Sequence, residues 1–149
     1  MAVAALVGGP ELASRVYDAI DGALPGQTQT APTQTTGGVL RGPVTRVADG
    51  DTFTIGSQRV RICGINSPER GERGYAEAGA NIERMTAGQT VECRQVGNGT
   101  PCDGRSSPAS YDRIVAQCFV GGRDIAAEQV RAGHAVDWTR YSGGHYERP

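Results

Sequence analysis

Asp49-Gly50-Asp51-Thr52 sets two carboxylates either side of a glycine, a turn that presents them to one side of the chain. Asn66-Ser67-Pro68-Glu69 follows soon after Arg61 and adds an amide oxygen and a further carboxylate, and Tyr111-Asp112-Arg113 brings a second arginine. Oxygen ligands, a carboxylate able to take a proton from water and two guanidinium forks together suit cleavage of a phosphodiester. That reaction gathers charge on the phosphoryl oxygens, where a divalent ion and parallel N–H donors stabilise it most. Ca²⁺ accepts an irregular set of oxygen ligands, whereas Mg²⁺ demands a near-ideal octahedron. The residue types point to a metal-assisted phosphodiesterase site, formed by Asp51, Arg61, Glu69 and Arg113, that acts on nucleic acid.

The overall charge gives this reading no help from a general basic coat. All 15 basic residues are arginine, and the formal net charge of the 149-residue chain is −1. Nucleic-acid contact must therefore come from a local cluster of arginines, each a planar fork suited to phosphate. Hydrophobic residues make up 38% of the chain and no apolar run approaches the roughly 20 residues of a membrane span, so a soluble domain with no transmembrane segment is expected.

Cys63, Cys93, Cys102 and Cys118 are an even number in a small glycine-rich chain without a CxxC pair, which favours disulfides over zinc. Four cysteines allow three complete pairings. Cys93 and Cys118 occupy similar places in two strand-like segments, VECRQV and IVAQCFV, which favours a bridge between them; a Cys63–Cys102 bridge has less support, and the sequence does not settle the pairing. Buried reduced thiols are the alternative.

These residues need a scaffold, and the pattern of the chain supplies one. Residues 1–9 are small and apolar without a basic lead, a poor signal peptide that could be the tail of a trimmed one. Leu12, Val16, Ile20 and Leu24 recur every four residues, as on one face of a short amphipathic helix within residues 1–24. Residues 25–38 turn to Gln, Thr, Pro and Gly without charge and read as a flexible linker. The folded domain is expected over 39–149. There GPVTRVADGDTFTIGSQRVRICGI predicts a three-run β-meander broken at DGD and GSQ, and YAEAGANIERMTAG predicts a helix ending at Gly88. QTVECRQV and YDRIVAQCFV are further strands on either side of a Gly-, Pro- and Ser-rich loop from Gly97 to Ser110, and RDIAAEQVRAG is a helix closed by Gly133. Five strands with a helix between the third and fourth predict a mainly β, α+β domain with two or three helices: a small, partly open barrel of the OB type.

DGDT, then RICGINSPE, then YDRIVA and finally DIAAEQVRAGHA, in this order and spacing between about Val44 and Trp138, resemble the staphylococcal nuclease (thermonuclease) family. The resemblance implies an OB-fold endonuclease that hydrolyses DNA and RNA with Ca²⁺ and leaves 3′-phosphate ends, with Mg²⁺ and Mn²⁺ as other candidate ions. It implies that Asp51, Asn66 and the Ser67 carbonyl hold the metal and that Glu69 orients or deprotonates the attacking water. Arg61 and Arg113 would grip the scissile phosphate, and Tyr111 and Tyr141 would contact the substrate. An exported protein, secreted or periplasmic and open to tethering through its N-terminus, fits the cysteines.

Asn66 departs from the pattern, because the family usually has a second aspartate there; an amide oxygen can bind Ca²⁺ but brings no negative charge. A nuclease-like module that binds nucleic acid and has lost catalysis is the alternative this substitution raises. The Gly97–Ser110 loop is also longer than usual and, carrying Cys102, could reshape the rim of a substrate groove. Trp138 and Tyr141 could stack on bases or pack in the fold. His134 and His145 have no partner in the sequence that suggests a triad or a metal site.

Overall fold

Val39–Asp49 forms one strand of eleven residues, β2, and its length decides the architecture. The computed structural model describes residues 33–149. The expected helix of residues 1–24 and residues 25–32 of the expected linker lie outside the described residues. The linker reading does not extend to its end, because Gln34–Thr36 is a short exposed strand, β1, paired antiparallel with β2. Those polar side chains need no burial there, since backbone hydrogen bonds alone hold an edge strand.

The meander forms where the turn residues predict, with β3 (Thr52–Ile55) and β4 (Gln58–Ile62) following β2. The first half of β2, Val39–Pro43, pairs with β6 (Thr90–Gln95), and the second half, Val44–Asp49, pairs with β3 through two register shifts. Gly42 sits at the changeover, where a Cβ would stand 2.8 Å from the Ile55 side chain. A glycine there lets the strand bend tightly over its neighbour. β6 pairs in turn with β8 (Arg113–Val120), and β8 runs parallel to β4, which closes a five-stranded mixed barrel in the order β2-β3-β4-β8-β6. The barrel is closed where the sequence predicts a partly open one, because a single bent strand serves both edges.

Strand alternation fixes what faces where. In β4, Val60 and Ile62 enter the core beside Phe53, Ile55, Val91 and Ala116, so Arg59 and Arg61 face outward. The parallel register sets Arg113 beside Arg59 and Val115 beside Arg61, so both arginines of the candidate site emerge from one patch of the outer barrel wall.

Helix α1 (Tyr75–Thr86) buries Ala78, Ile82 and Thr86, four residues apart, against β2. Helix α2 is shorter than predicted, Ile125–Arg131, because Arg123–Asp124 (β9) pairs with β8 and Asp124 then caps the helix, accepting from the amides of Ala126 and Ala127. Gly133 ends it with φ 76°, a left-handed position that favours glycine. Two more strands, β5 (Ile65–Asn66) and β10 (Val136–Asp137), pair with each other, and β7 (Ala109–Ser110) pairs with β8. Past β10 comes a one-turn helix, α3 (Thr139–Ser142), and the tail then folds back so that Tyr146 is buried and donates to Asp124 at 2.7 Å.

Both disulfides are present: Cys93–Cys118 joins directly opposed residues of β6 and β8 inside the barrel, and Cys63–Cys102 ties the end of β4 to the Gly97–Ser110 loop. Replacing Cys93 and Cys118 together by alanine is expected to lower stability by about 2–4 kcal/mol, through lost constraint on the unfolded chain and lost packing volume. Urea unfolding of the variant beside the parent measures it.

Candidate functional site

The Asp49–Thr52 turn is pressed into the body of the protein. A Cβ on Gly50 would lie 2.6 Å from the Ala78 side chain of α1 and 2.8 Å from that of Ser67, so only glycine allows the turn to approach so closely. The Asp51 carboxylate beyond it is 3% exposed. Its two oxygens accept from the Thr52 hydroxyl at 3.1 Å and from the Ser67 amide at 3.0 Å, and the Arg61 guanidinium lies 3.3 Å away.

Arg61 is itself held on several sides, donating to the carbonyls of Ile62 and Ile65. Its side chain is 14% exposed, and burial depresses its proton affinity against the opposing pull of Asp51 and Asp49. Asp49 accepts from the Asp51 amide at 3.1 Å. Burial, then the hydrogen bond and charge of Asp51, push its carboxyl up to about 6, with a smaller contribution from Glu69.

Gln129 of α2 completes the turn from behind. Its amide nitrogen donates to the Gly50 carbonyl at 2.9 Å and the Ala78 carbonyl at 3.1 Å, while its oxygen accepts from Asn81 of α1 at 2.6 Å. The side chain is fully buried and every one of these bonds crosses between elements. The sequence carries a signal for it that the motifs do not: Gln129 lies four residues after Ile125, on the apolar stripe of its helix, where a polar residue needs a buried partner.

Arg61 and Arg113 line one cleft of about 280 Å³. Trp138 and Tyr141, packed edge to face with ring centroids 4.7 Å apart, line it too, as do Ser106, Ser107 and Ser110. The Arg61 guanidinium stands 6.0 Å from the Trp138 ring centre, and Arg113 donates weakly to the Ser110 hydroxyl at 3.4 Å. A cleft lined by two guanidiniums, two aromatic rings and three hydroxyls can hold a phosphate beside a planar group.

The structure thus brings Asp51, Ser67 and Arg61 into direct contact and gathers Arg61, Arg113 and Tyr141 around one cleft. Glu69 is exposed beyond them, close enough for its charge to act on Asp49 and Arg61. Asn66 and Ser67 open instead onto a neighbouring cleft that His134 and Arg73 also line. Tyr111 does not join the site: it lies outside the lining of the arginine cleft, 96% exposed, in a left-handed turn with φ 57°. His145 packs edge to face on Tyr146.

Among the described residues no three His, Cys, Asp or Glu side chains gather as a metal cluster. Of the three residues expected to hold a cation, Asp51 and Ser67 meet through the Ser67 amide, whereas the Asn66 side chain is exposed beside the neighbouring cleft. All three offer hard oxygen donors, and Asp51 keeps lone pairs beyond those its present partners use. The crowding of Asp49 against Asp51, which raises Asp49, is a tension that a cation beside them would relieve. The donor set therefore fits Ca²⁺ better than a soft metal.

No family model matches the chain, and no curated protein matches it.

The raised Asp49 binds more protons in the folded state than in the unfolded one, so it takes stability away as pH rises from about 4 to about 6. Asp49→Asn is expected to stabilise the metal-free protein by about 1 kcal/mol at pH 7.5, a value reduced for solvent screening, and to give no gain at pH 4. Thermal unfolding at the two pH values tests this. Gln129→Leu strands the buried carbonyls of Gly50 and Ala78, and an expected loss of about 2 kcal/mol is read from urea unfolding.

Proposed function

We propose that this chain is a Ca²⁺-dependent nuclease, similar to the staphylococcal nuclease family, that hydrolyses phosphodiester bonds of DNA and RNA and leaves 3′-phosphate ends. The observation that carries the reading is the link between Asp51 and the cleft: its carboxylate touches Arg61, and Arg61 lines the same cleft as Arg113. Support also comes from the two disulfides, which fit an oxidising compartment and hence secretion or export to the periplasm. Among the described residues no helix is long and apolar enough to cross a membrane.

Bound beside Asp51, Asn66 and the Ser67 carbonyl, Ca²⁺ would polarise the phosphoryl oxygen and offset charge developing on it. Arg61 keeps N–H groups beyond those given to Asp51 and two carbonyls, and with Arg113 it would hold the other phosphoryl oxygens. The Arg61 guanidinium is positioned before substrate arrives, so little reorganisation of it accompanies the reaction. Glu69 takes a proton from water as the water oxygen bonds to phosphorus. The bond from phosphorus to the 5′-oxygen breaks, and that oxygen gains a proton from solvent. Tyr141 and Trp138 would stack on the neighbouring base; Tyr111, on an exposed turn, would reach substrate only outside the cleft.

The uncharged Asn66 supports a second reading, a module that binds nucleic acid without cleaving it. Incubation with single-stranded DNA and Ca²⁺ separates the two. The nuclease reading expects cleavage that Glu69→Gln lowers by about 10²-fold or more, and that Asn66→Asp increases at limiting Ca²⁺. Cleavage no greater than that of Glu69→Gln overturns it, and binding without turnover in Ca²⁺, Mg²⁺ or Mn²⁺ establishes the second.

A further inference from the structure

The serines that line the arginine cleft belong to the segment between β6 and β8, and that segment is built as a separate unit. Cys102 and Val96 join Cys63 and Val115 in a small apolar cluster apart from the barrel core. Cys63 and Val115 also line the cleft, so one cluster lies under both the loop and the cleft. Within the loop, the Asp103 carboxylate accepts from the amides of Gly97 and Gly99 and the hydroxyl of Thr100 at 2.6–2.8 Å. Those bonds hold Asp103 ionised, down to about 2. At its far side the loop reaches α3, where the Arg105 guanidinium lies against Gly143, 2.7 Å from where a Cβ there would stand. The loop's return is paired to β8 through β7, but its outgoing half, from Pro101 to Ser107, has the Cys63–Cys102 bridge as its one covalent tie to the barrel.

We propose that the Cys63–Cys102 disulfide determines substrate affinity by holding this loop in place as part of the cleft lining. The ligand is a nucleotide unit whose phosphate meets Arg61 and Arg113. Ser106 and Ser107 of this loop, with Ser110 of β7, offer hydroxyl donors and acceptors to its sugar and phosphate oxygens in the cleft that Trp138 and Tyr141 also line. Freed from the bridge, the loop must be ordered anew at each binding event, which weakens binding. The reacting groups lie outside this loop, Arg61 and Arg113 on β4 and β8 and Glu69 just past β5, so the rate of the bound complex stays the same. This proposal rests on the nuclease reading of the cleft.

The experiment compares the parent protein with Cys63→Ala/Cys102→Ala and with Asp103→Ala. Affinity for a short fluorescent single-stranded DNA is measured by anisotropy in EDTA, and KM and kcat are measured with Ca²⁺. Loss of the bridge is expected to raise Kd and KM by about 10-fold with kcat within about twofold. Asp103→Ala loosens the same loop with the bridge intact and is expected to raise both by about threefold, which keeps the test open if the double variant folds poorly. Cys93→Ala/Cys118→Ala, lacking the bridge inside the barrel, is expected to lose thermal stability while keeping its Kd. Unchanged Kd and KM in the Cys63/Cys102 and Asp103 variants, with an active parent, overturn this proposal alone, as does a fall in kcat at constant KM. A parent that neither binds nor cleaves overturns the nuclease reading and this proposal with it.

Discussion

Asp51 holds a carboxylate almost wholly out of water, and an unpaired charge at such depth would cost several kcal/mol. Its partners come from three stretches of chain: Thr52 beside it, Arg61 from β4 and the Ser67 amide just past β5. Satisfying one charge therefore fixes the DGD turn, the outward face of β4 and the NSPE segment against one another. Arg61 cannot leave without stranding Asp51, and the carbonyls of Ile62 and Ile65 fix the direction of its guanidinium. Gln129 brings α2 into the same arrangement through the Gly50 carbonyl, and its contacts with Ala78 and Asn81 add α1.

The arrangement is tense as well as ordered. Burial disfavours the charged form of Asp49 and of Arg61 alike, and Asp49 is pushed further by the neighbouring carboxylate. Groups held this way, beside a cleft lined by cations, are typical of sites whose geometry serves chemistry before stability. The cleft's aromatic and hydroxyl residues differ in origin. Trp138 and Tyr141 belong to the segment that pairs back onto β5, with the Trp138 amide donating to the Gly64 carbonyl, whereas Ser106 and Ser107 belong to the β6–β8 connection, which has its own small apolar cluster.

Much of the scaffold was legible in the chain. The β-rich runs broken at DGD and GSQ predict β2, β3 and β4, the segment YAEAGANIERMTAG predicts α1, and Gly133 marks the end of α2. The matching places of Cys93 and Cys118 on two strands favour the bridge the structure contains. Closure of the barrel was not legible, because it depends on one strand bending at Gly42 to pair with two partners, a long-range event that local pattern does not record. The strand at Gln34–Thr36 escapes composition for a related reason: its exposed polar residues are held by the backbone of β2.

For the site, sequence by itself determined which groups are available: two neighbouring carboxylates on a glycine turn, an arginine at every basic position, and Arg61 and Arg113 on strand-like runs. Those are properties of residue type and local pattern. Tertiary structure decided which groups meet. It buried Asp51 against Arg61 and Ser67, brought Arg113 to the same cleft through a parallel pairing of β4 with β8, left Tyr111 in solvent, and made Gln129 a partner of Gly50 across 79 residues of chain. Such contacts depend on the distance between segments far apart in sequence, and only the closed barrel sets that distance.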